Sequence, residues 1–388
     1  MAGNDYFVAG SFPFLNSPGS NADIHVRSYD VGTGALRWES VWAPTASDDQ
    51  ATGLTVAGSA VVVAGRTGQN STGNNAFAVR AFGAQDGHTL WQDQCGTTSP
   101  TGAVAITSAT NRVFAAGTCA PASDGNTGLL RAYAAGDGAL LWEVHEASSP
   151  QAISISGGRL FELATDVSGQ LLLRAYDAGT GVQLWEAQPG VPGTQFASQL
   201  TSGGGAVYVS WETNTAVGTV RGIAAYSARN GTGLWQTDPG DRVTALAWAK
   251  NRVFAAKSGG NTLLTAYDSR NGAVRWQDQP GSTPTIYSAA ALTVAGVQLY
   301  LAGNSFTAGS EDAANWLVRA YTLNGRLIWQ DNEPATNEVD AAAADVVSGD
   351  GKVIAAGGTG RDTPPLGMTQ WWIRAYDSGN GSRIRSRP

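Results

Sequence analysis

The 388-residue sequence predicts an all-β fold, an eight-bladed β-propeller built from four-stranded antiparallel blades. Three observations support this prediction. A hairpin pattern, RAYDAGTGVQLW at residues 174–185, recurs eight times along the chain. A short apolar strand precedes every copy, and seven of the copies end in a tryptophan. Those tryptophans lie 41 to 53 residues apart, a repeat length typical of propeller blades.

Each copy of the pattern predicts two strands joined by a tight turn. In the copy at 174–185, Arg174 and Tyr176 alternate with Leu173 and Ala175, which is the period of two expected of a strand. Every turn ends in a glycine, and the residue before it is Thr, Asp or Asn, whose short side chains bond nearby backbone groups. The eight glycines are Gly34, Gly87, Gly138, Gly181, Gly231, Gly272, Gly325 and Gly381.

Two further strands precede each hairpin and complete a blade of four. The second strand of a blade has sequences such as VVVAG at 61–65, and a strand of small and apolar residues usually comes before it, as at 103–109. The chain's first ten residues align without a gap on residues 56–65, where an inner strand ends and a second strand begins. The first blade is therefore predicted to lack its innermost strand, and we expect the natural chain to begin further upstream.

Ala175, Asp177, Thr180, Gly181 and Trp185 form the motif Ala-x-Asp-x-x-Thr-Gly-x-x-x-Trp. It resembles the tryptophan-docking repeat of the PQQ-like, or quinoprotein alcohol dehydrogenase-like, eight-bladed propellers, a family that includes those dehydrogenases and outer-membrane assembly propellers of the BamB kind. The resemblance covers essentially the whole chain. It implies that each tryptophan packs over the next blade's motif and that residues 1–388 form one domain, a closed monomeric ring. The docking residues would be Trp38, Trp91, Trp142, Trp185, Trp235, Trp276 and Trp329, with Arg385 in the eighth copy. The arginine of each hairpin is expected to pair across blades.

Composition limits the partners that the protein can have. The net charge is −7 with only three lysines, so we expect no nucleic-acid or anionic-membrane binding. No apolar run approaches the ~20 residues of a membrane-spanning helix. A protein or surface partner is the remaining expectation.

The two cysteines can be placed on the predicted blades. Cys95 follows the outer strand of blade two and Cys119 follows the second strand of blade three, so both lie at the same face of an up-and-down propeller. A disulfide is geometrically reasonable, and two unrelated thiols are the alternative. The bond would favour a periplasmic or extracellular location.

Long polar loops between the second and third strands are predicted to form a ligand face together with the loops that lead into each inner strand. These long loops cover 11–23, 66–75, 119–128, 304–315 and 358–370. The candidate ligand residues are Asp49, Asp241, Arg242, Tyr287 and Asp340.

Three functions remain open from the sequence. A non-catalytic binding or scaffolding propeller is favoured, because the three histidines are spread over different blades and no zinc spacing or nucleophile motif occurs. A quinoprotein oxidoreductase using PQQ and calcium is the first alternative. The resemblance would require two adjacent cysteines and a calcium site of Glu, Asn and Asp beside a catalytic Asp, and this chain has no adjacent cysteine pair. A carbohydrate- or surface-binding propeller is the second alternative.

Overall fold

The computed structural model describes most of the chain as strands and tight turns. The described residues are 3–13, 22–43, 45, 47–69, 75–99, 102–119, 128–191, 194–216, 218–260, 262–280, 285–307, 314–333, 340–361 and 367–387. Within these ranges there are 31 strands and no helix. No helix in the described part of the chain therefore has the length and apolarity needed to cross a membrane.

The described strands form seven antiparallel sheets, one of three strands, five of four and one of eight. The eight-stranded sheet consists of two four-stranded groups, which are counted separately below as the sixth and seventh sheets. The first four sheets contain β1 (Asp5–Pro13), β2 (Ala22–Asp30) and β3 (Leu36–Trp42); β4 (Asp48–Ala57), β5 (Ala60–Gln69), β6 (Asn75–Gly83) and β7 (Thr89–Ser99); β8 (Gly102–Ala109), β9 (Arg112–Thr118), β10 (Gly128–Ala134) and β11 (Leu140–Glu146); β12 (Ser149–Ser156), β13 (Arg159–Thr165), β14 (Leu171–Asp177) and β15 (Gln183–Ala187).

The remaining sheets repeat the four-stranded order. They contain β16 (Thr194–Gly203), β17 (Ala206–Thr215), β18 (Gly218–Ser227) and β19 (Gly233–Thr237); β20 (Arg242–Ala249), β21 (Arg252–Ser258), β22 (Leu264–Asp268) and β23 (Val274–Asp278); β24 (Thr285–Ala295), β25 (Gln298–Thr307), β26 (Asn315–Thr322) and β27 (Leu327–Glu333); β28 (Asp340–Gly349), β29 (Lys352–Arg361), β30 (Gly367–Asp377) and β31 (Arg383–Arg387). One backbone pairing, Ser258 with Ser288, joins the sixth and seventh sheets. The predicted fold class, an all-β propeller of four-stranded blades with an incomplete first blade, is confirmed.

The chain divides into two compact units by its internal contacts. The first unit is Met1–Gly205, Thr213–Val217 and Ala228–Thr232, and the second is Ala206–Glu212, Gly218–Ser227 and Gly233–Pro388. The predicted organisation as one closed-ring domain stays a prediction.

The hydrophobic core lies between consecutive sheets, where apolar side chains of one sheet pack against those of the next. Between the second and third sheets, for example, Phe77 and Val79 pack in one cluster with Val113, Leu129 and their neighbours. Equivalent clusters lie between the first and second, third and fourth, sixth and seventh, and seventh and eighth sheets. Stability is therefore distributed over several inter-sheet layers, each dominated by the removal of apolar surface from water.

The seven tryptophans of the repeat pack against the following hairpin; five of them are buried, and Trp235 and Trp276 are partly buried. Each indole Nε1 donates a hydrogen bond of 2.9 to 3.2 Å to a backbone carbonyl that lies three residues before the turn glycine, or two residues before it in the hairpin that Trp276 contacts. The acceptors are Ala84 for Trp38, Ala135 for Trp91, Ala178 for Trp142, Ala228 for Trp185, Ser269 for Trp235, Leu323 for Trp276 and Ser378 for Trp329.

Two separate constraints require glycine at this turn position. Gly181 has φ +74°, a backbone conformation that other residues rarely adopt, and a Cβ there would lie 2.8 Å from the Trp142 indole. The same pair of constraints holds at the turn glycine facing each of the other six tryptophans. One residue type thus satisfies the turn and makes room for the neighbouring sheet.

Candidate functional site

Each sheet has two different ends. At one end lie the loop from the second strand to the third and the loop that leads into the inner strand from the preceding sheet; we call this the loop end. The opposite end carries the turn between the third and fourth strands, and we call it the hairpin end. The predicted ligand residues lie at the loop ends of their own sheets, since Asp48 pairs with Gln69, Arg242 with Ser258 and Asp340 with Gly360. The predicted long loops contain residues 14–21, 70–74, 120–127, 308–313 and 362–366, which lie outside the described residues.

Asp49, one of the predicted ligand residues, is buried within the second sheet. Its side chain is 0% exposed and accepts hydrogen bonds from the Gly68 amide at 2.9 Å and the Thr45 hydroxyl at 3.2 Å. Removal from water raises the pKa of the Asp49 carboxyl, although these hydrogen bonds act in the opposite direction. The carboxyl therefore holds two backbone segments of the second sheet together.

Tyr287 and Asp340 are described to different extents. The Arg319 guanidinium lies over the Tyr287 ring, 4.8 Å from its centroid, which is a cation–π distance. Tyr287 thus covers a buried arginine of its own sheet. The backbone of Asp340 pairs with Gly360 at the start of β28, and its side chain lies outside the described residues.

A ladder of polar contacts links consecutive sheets. An acidic residue two positions after a docking tryptophan accepts hydrogen bonds from the arginine and the tyrosine of the next hairpin. Asp93, which follows Trp91, accepts from Arg131 at 2.7 Å and from the Tyr133 hydroxyl at 2.6 Å. The arrangement recurs at Asp278 with Arg319 and Tyr321 and at Asp331 with Arg374 and Tyr376. The prediction that hairpin arginines pair across blades is confirmed at these three positions.

The ladder can be traced in the sequence by comparing the residue two positions after each tryptophan with the arginine and tyrosine positions of the next hairpin. Where Ser40 stands two residues after Trp38, the next hairpin has Phe82 in place of the tyrosine. Where Thr237 stands at that position, the next hairpin has Thr265 in place of the arginine. The acid is also absent at Val144, two residues after Trp142, although the next hairpin keeps Arg174 and Tyr176. There Glu146 and Glu162 contact the arginine and the tyrosine instead.

The contact between the third and fourth sheets contains an excess of acid. We call this set the glutamate cluster, and its members are Glu146, Glu162, Glu186, Arg174 and Tyr176. Glu162 is 0% exposed and stands directly opposite Arg174 on the neighbouring strand. Arg174 also binds Glu146, and its Nε donates to Glu186 at 2.8 Å. Three carboxyl groups thus share one guanidinium.

Burial is the main cause that raises the pKa of Glu162 well above its ordinary value, and the nearby Glu146 carboxyl acts in the same direction. Arg174 and the Tyr176 hydroxyl, which donates to Glu162 at 3.1 Å, oppose this shift. Glu162 is consequently a carboxyl whose neutral form the fold favours.

We expect Glu162→Gln to stabilise the protein increasingly as pH rises. A carboxyl with a raised pKa in the folded state contributes stability below its unfolded pKa of about 4.3, and that stability is lost as pH rises through the folded pKa. Glutamine does not titrate, so the variant escapes this loss. Between the two pKa values the difference grows by up to about 1.4 kcal/mol per pH unit. Urea unfolding of both proteins from pH 4 to pH 9 measures it.

Glu186→Gln is the matched control, because the Glu186 side chain contacts the same arginine but is 40% exposed. Because the Glu186 carboxylate reaches water, this variant should not reproduce the pH-dependent gain in unfolding free energy expected of Glu162→Gln. Parallel profiles for Glu162→Gln and the wild type would show that Glu162 ionises normally in the folded protein.

The DPGDR loop, residues 238–242, lies at a loop end in the second unit. It carries acidic and basic side chains that reach solvent. Arg242 has a side chain that is 67% exposed and lies 3.8 Å from Glu212, and Glu212 accepts a hydrogen bond of 3.1 Å from Arg221. Asp238 is exposed and Asp241 is half-buried. This loop therefore offers both charges to solvent.

A buried lysine supports the DPGDR loop from beneath. Lys257 is 1% exposed and donates a hydrogen bond to the Pro239 carbonyl. Burial lowers the pKa of Lys257, and the charges of Asp241 and Asp238 oppose that shift. Because a Cβ at Gly260 would collide with the Asp241 carboxylate, the neighbouring backbone is packed closely against this loop. The loop is thus fixed by several contacts rather than by its own turn alone.

Cys95 and Cys119 form a disulfide with a Cα–Cα distance of 5.7 Å. The bond connects β7 of the second sheet with the residue that follows β9 of the third. Among the residues that the structure describes, no three His, Cys, Asp or Glu side chains are placed to hold a metal ion. Since the two cysteines are 24 positions apart and bonded to each other, they do not fit the ring of adjacent cysteines that the family's dehydrogenases form over PQQ.

The repeat is shared with a known protein family. The model of one family, described as outer membrane protein assembly factor BamB, matches residues 22–167, 75–209 and 168–387. This chain belongs to the PQQ-like β-propeller family. No curated protein sequence matches it.

Solved structures of PQQ-like and other propellers resemble the chain in fold. BamB from Moraxella catarrhalis has a TM-score of 0.54 at 13% identity, covering 90% of this chain and 96% of that one. A quinohemoprotein alcohol dehydrogenase from Pseudomonas putida has a TM-score of 0.57 at 12% identity, covering 86% and 66%. The C-terminal WD40 domain of Sif2 has a TM-score of 0.59 at 11% identity, covering 90% and 93%. At these identities the likeness establishes the fold alone.

Proposed function

We propose that this protein is a non-catalytic binding or scaffolding β-propeller that binds a protein partner at the loop ends of its sheets. The observation that carries the proposal is the DPGDR loop, where Arg242 and its acidic neighbours are presented to solvent on a rigid support. Charged side chains held in this way provide specificity and fast association with a partner of complementary charge. The family's description as an outer membrane protein assembly factor agrees with a role in protein binding.

An exported, periplasmic or extracellular location accompanies this proposal. The Cys95–Cys119 disulfide supports it, because disulfides persist in oxidising compartments and are rare in the cytosol. The family's association with the outer membrane points in the same direction.

The alternative is a quinoprotein oxidoreductase that uses PQQ and calcium. The likeness in fold to a quinohemoprotein alcohol dehydrogenase and to a europium-containing methanol dehydrogenase favours it. The Cys95–Cys119 pairing does not favour the oxidoreductase, because the ring over PQQ is formed by adjacent cysteines.

Site-specific photocrosslinking tests the proposed function. A photoreactive phenylalanine derivative replaces Arg242 at the loop end or, as control, Arg270, an exposed arginine at the hairpin end of the same sheet. In extract of the source organism we expect position 242 alone to give a discrete crosslinked protein. With that protein purified, Arg242→Glu should weaken binding at least tenfold and Arg270→Glu should leave it unchanged.

Two outcomes would contradict the proposal. Equal crosslinking from both positions, or none from position 242, would remove the loop end as the binding surface. Stoichiometric binding of PQQ with calcium, accompanied by alcohol-dependent reduction of a dye, would instead assign the oxidoreductase function.

A further inference from the structure

Arg80 is a hairpin arginine without a carboxylate partner among the described residues. Its Nε and Nη2 both donate to the side-chain oxygen of Gln92, at 3.1 and 2.7 Å, and its Nη1 makes no hydrogen bond with a described residue. In the five other copies that have this arginine, the guanidinium pairs with at least one carboxylate. Those arginines are Arg27, Arg131, Arg174, Arg319 and Arg374.

The two positions of the preceding sheet that could supply an acid to Arg80 are occupied by Ser40 and Trp42. They lie two and four residues after the docking tryptophan. In the seventh sheet the same positions are Asp331 and Glu333, and both carboxylates bind the arginine of the eighth sheet. The Ser40 hydroxyl donates instead to the Gly87 carbonyl at 2.6 Å. The contact between the first and second sheets therefore keeps the arginine of the ladder but not its acid.

The aromatic contact of Arg80 is compatible with a carboxylate partner. The Arg80 Cζ lies 5.2 Å from the centroid of the buried Trp42 ring, which is a cation–π distance. Arg374 makes two such contacts, at 4.8 Å with Trp316 and 4.5 Å with Trp372. Its Nη1 nevertheless binds two carboxylates. An aromatic ring beside the guanidinium thus leaves its N–H groups able to bind an acid.

Arg80 has lost part of its water without gaining a counter-ion. Burial lowers the pKa of Arg80, and no described carboxylate opposes that shift. Burial acts in the same direction on Arg131, but its neighbours Tyr133 and Asp93 outweigh it, and the pKa of Arg131 is raised. Since an arginine stays protonated in proteins, Arg80 is a charged group that a bound anion would stabilise.

We propose that Arg80, held by Gln92 and facing the place of the absent acid at Ser40, is a binding site for the carboxylate group of an external ligand. Three other contacts between sheets seat an aspartate carboxylate on the corresponding arginine, which defines the chemistry of the site. Arg80 is partly exposed, so a ligand can reach it from solvent. A small organic acid and the acidic side chain of a peptide share this chemistry.

The site lies within the first unit and involves only β3, β6 and β7, the third and fourth strands of their sheets. The inner edge of the first sheet takes no part in it. The inference does not depend on the proposed function, which concerns the loop ends.

Sodium acetate added to the whole protein is the first probe. We expect the melting temperature to rise saturably with acetate, with half-saturation at about millimolar concentration, and the NMR resonance of the Arg80 Nε–H to shift over the same range. Sodium chloride at equal ionic strength and neutral acetamide should not reproduce either change. A Gly-Glu-Gly peptide blocked at both ends distinguishes the sources. A response to acetate alone supports a small organic acid, and a response to both supports an acidic side chain.

Ser40→Asp is the decisive variant, because it returns a carboxylate to the ladder from within the chain. The affinity for acetate should fall at least tenfold, while circular dichroism should be unchanged. Arg80→Met should lose the acetate response as well, and Arg131→Met, which removes an arginine that has its own acids, should keep it. If Arg80→Met does not fold, Ser40→Asp decides. A response to acetate no larger than that to chloride, or an equal response in the wild type and Ser40→Asp, would overturn the proposal.

Discussion

Replacing Trp185 with alanine is expected to lower the free energy of unfolding by about 3–5 kcal/mol, as for other large-to-small core substitutions. The indole is 9% exposed, packs against Phe161 and Gly231, and donates a hydrogen bond of 3.1 Å to the Ala228 carbonyl. Alanine would leave a cavity between the hairpin and the sheet that supplies the indole. Chemical denaturation monitored by far-ultraviolet circular dichroism measures the change.

Trp185→Phe separates the two parts of this effect. Phenylalanine retains an aromatic ring in the cavity but cannot donate to Ala228, so we expect a smaller loss that includes about 1 kcal/mol for the hydrogen bond. An unfolding midpoint for Trp185→Ala equal to that of the wild type would show that the indole does not stabilise the fold.

Arg174→Met is expected to destabilise the protein by about 3–5 kcal/mol at neutral pH, the usual consequence of removing one partner from a buried ion pair. The variant leaves Glu162, which is fully buried, and Glu146, whose side chain is 10% exposed, without their cation. Methionine keeps much of the apolar stem of arginine, so the loss reports mainly on charge. The difference from wild type should shrink at low pH, where protonated carboxyls no longer need a neighbouring cation.

Arg131→Met is the matched control. It occupies the same position in the preceding hairpin, but its partners Asp93 and Glu143 are 32% and 34% exposed and regain water when the arginine is lost. We therefore expect a loss well below that of Arg174→Met. Equal losses in the two variants, or a loss at position 174 that does not change with pH, would contradict the proposed role of the glutamate cluster.

The fold could be predicted because its determinants are local. Alternation along the third strand, the turn glycine and the terminal tryptophan all lie within twelve residues, and the repeat multiplies the signal eightfold. The three described strands of the first sheet agree with the alignment of residues 1–10 on residues 56–65. Such features depend on spacing along the chain and not on which sheets become neighbours.

The candidate site could be predicted only in part. Asp241 and Arg242 were placed at a loop end, and the structure adds their neighbours Glu212 and Lys257. Asp49 was predicted by the same reasoning, yet it is buried, because the Gly68 amide closes over it. The local sequence around such an aspartate does not show whether its side chain will be accessible to solvent, as at Asp241, or buried, as at Asp49.

The sequence by itself determined the repeating blade, its turns and its docking tryptophans, because steric limits on glycine and the period of a strand act over a few residues. Only the tertiary structure decided which polar groups are buried. Glu162 and Lys257 occupy positions where the other copies have uncharged residues. Their ionisation depends on neighbouring groups such as Glu146 and Asp241, which the repeat pattern does not specify. Charge energies are set by distance in space and by exclusion of water, neither of which a linear pattern specifies.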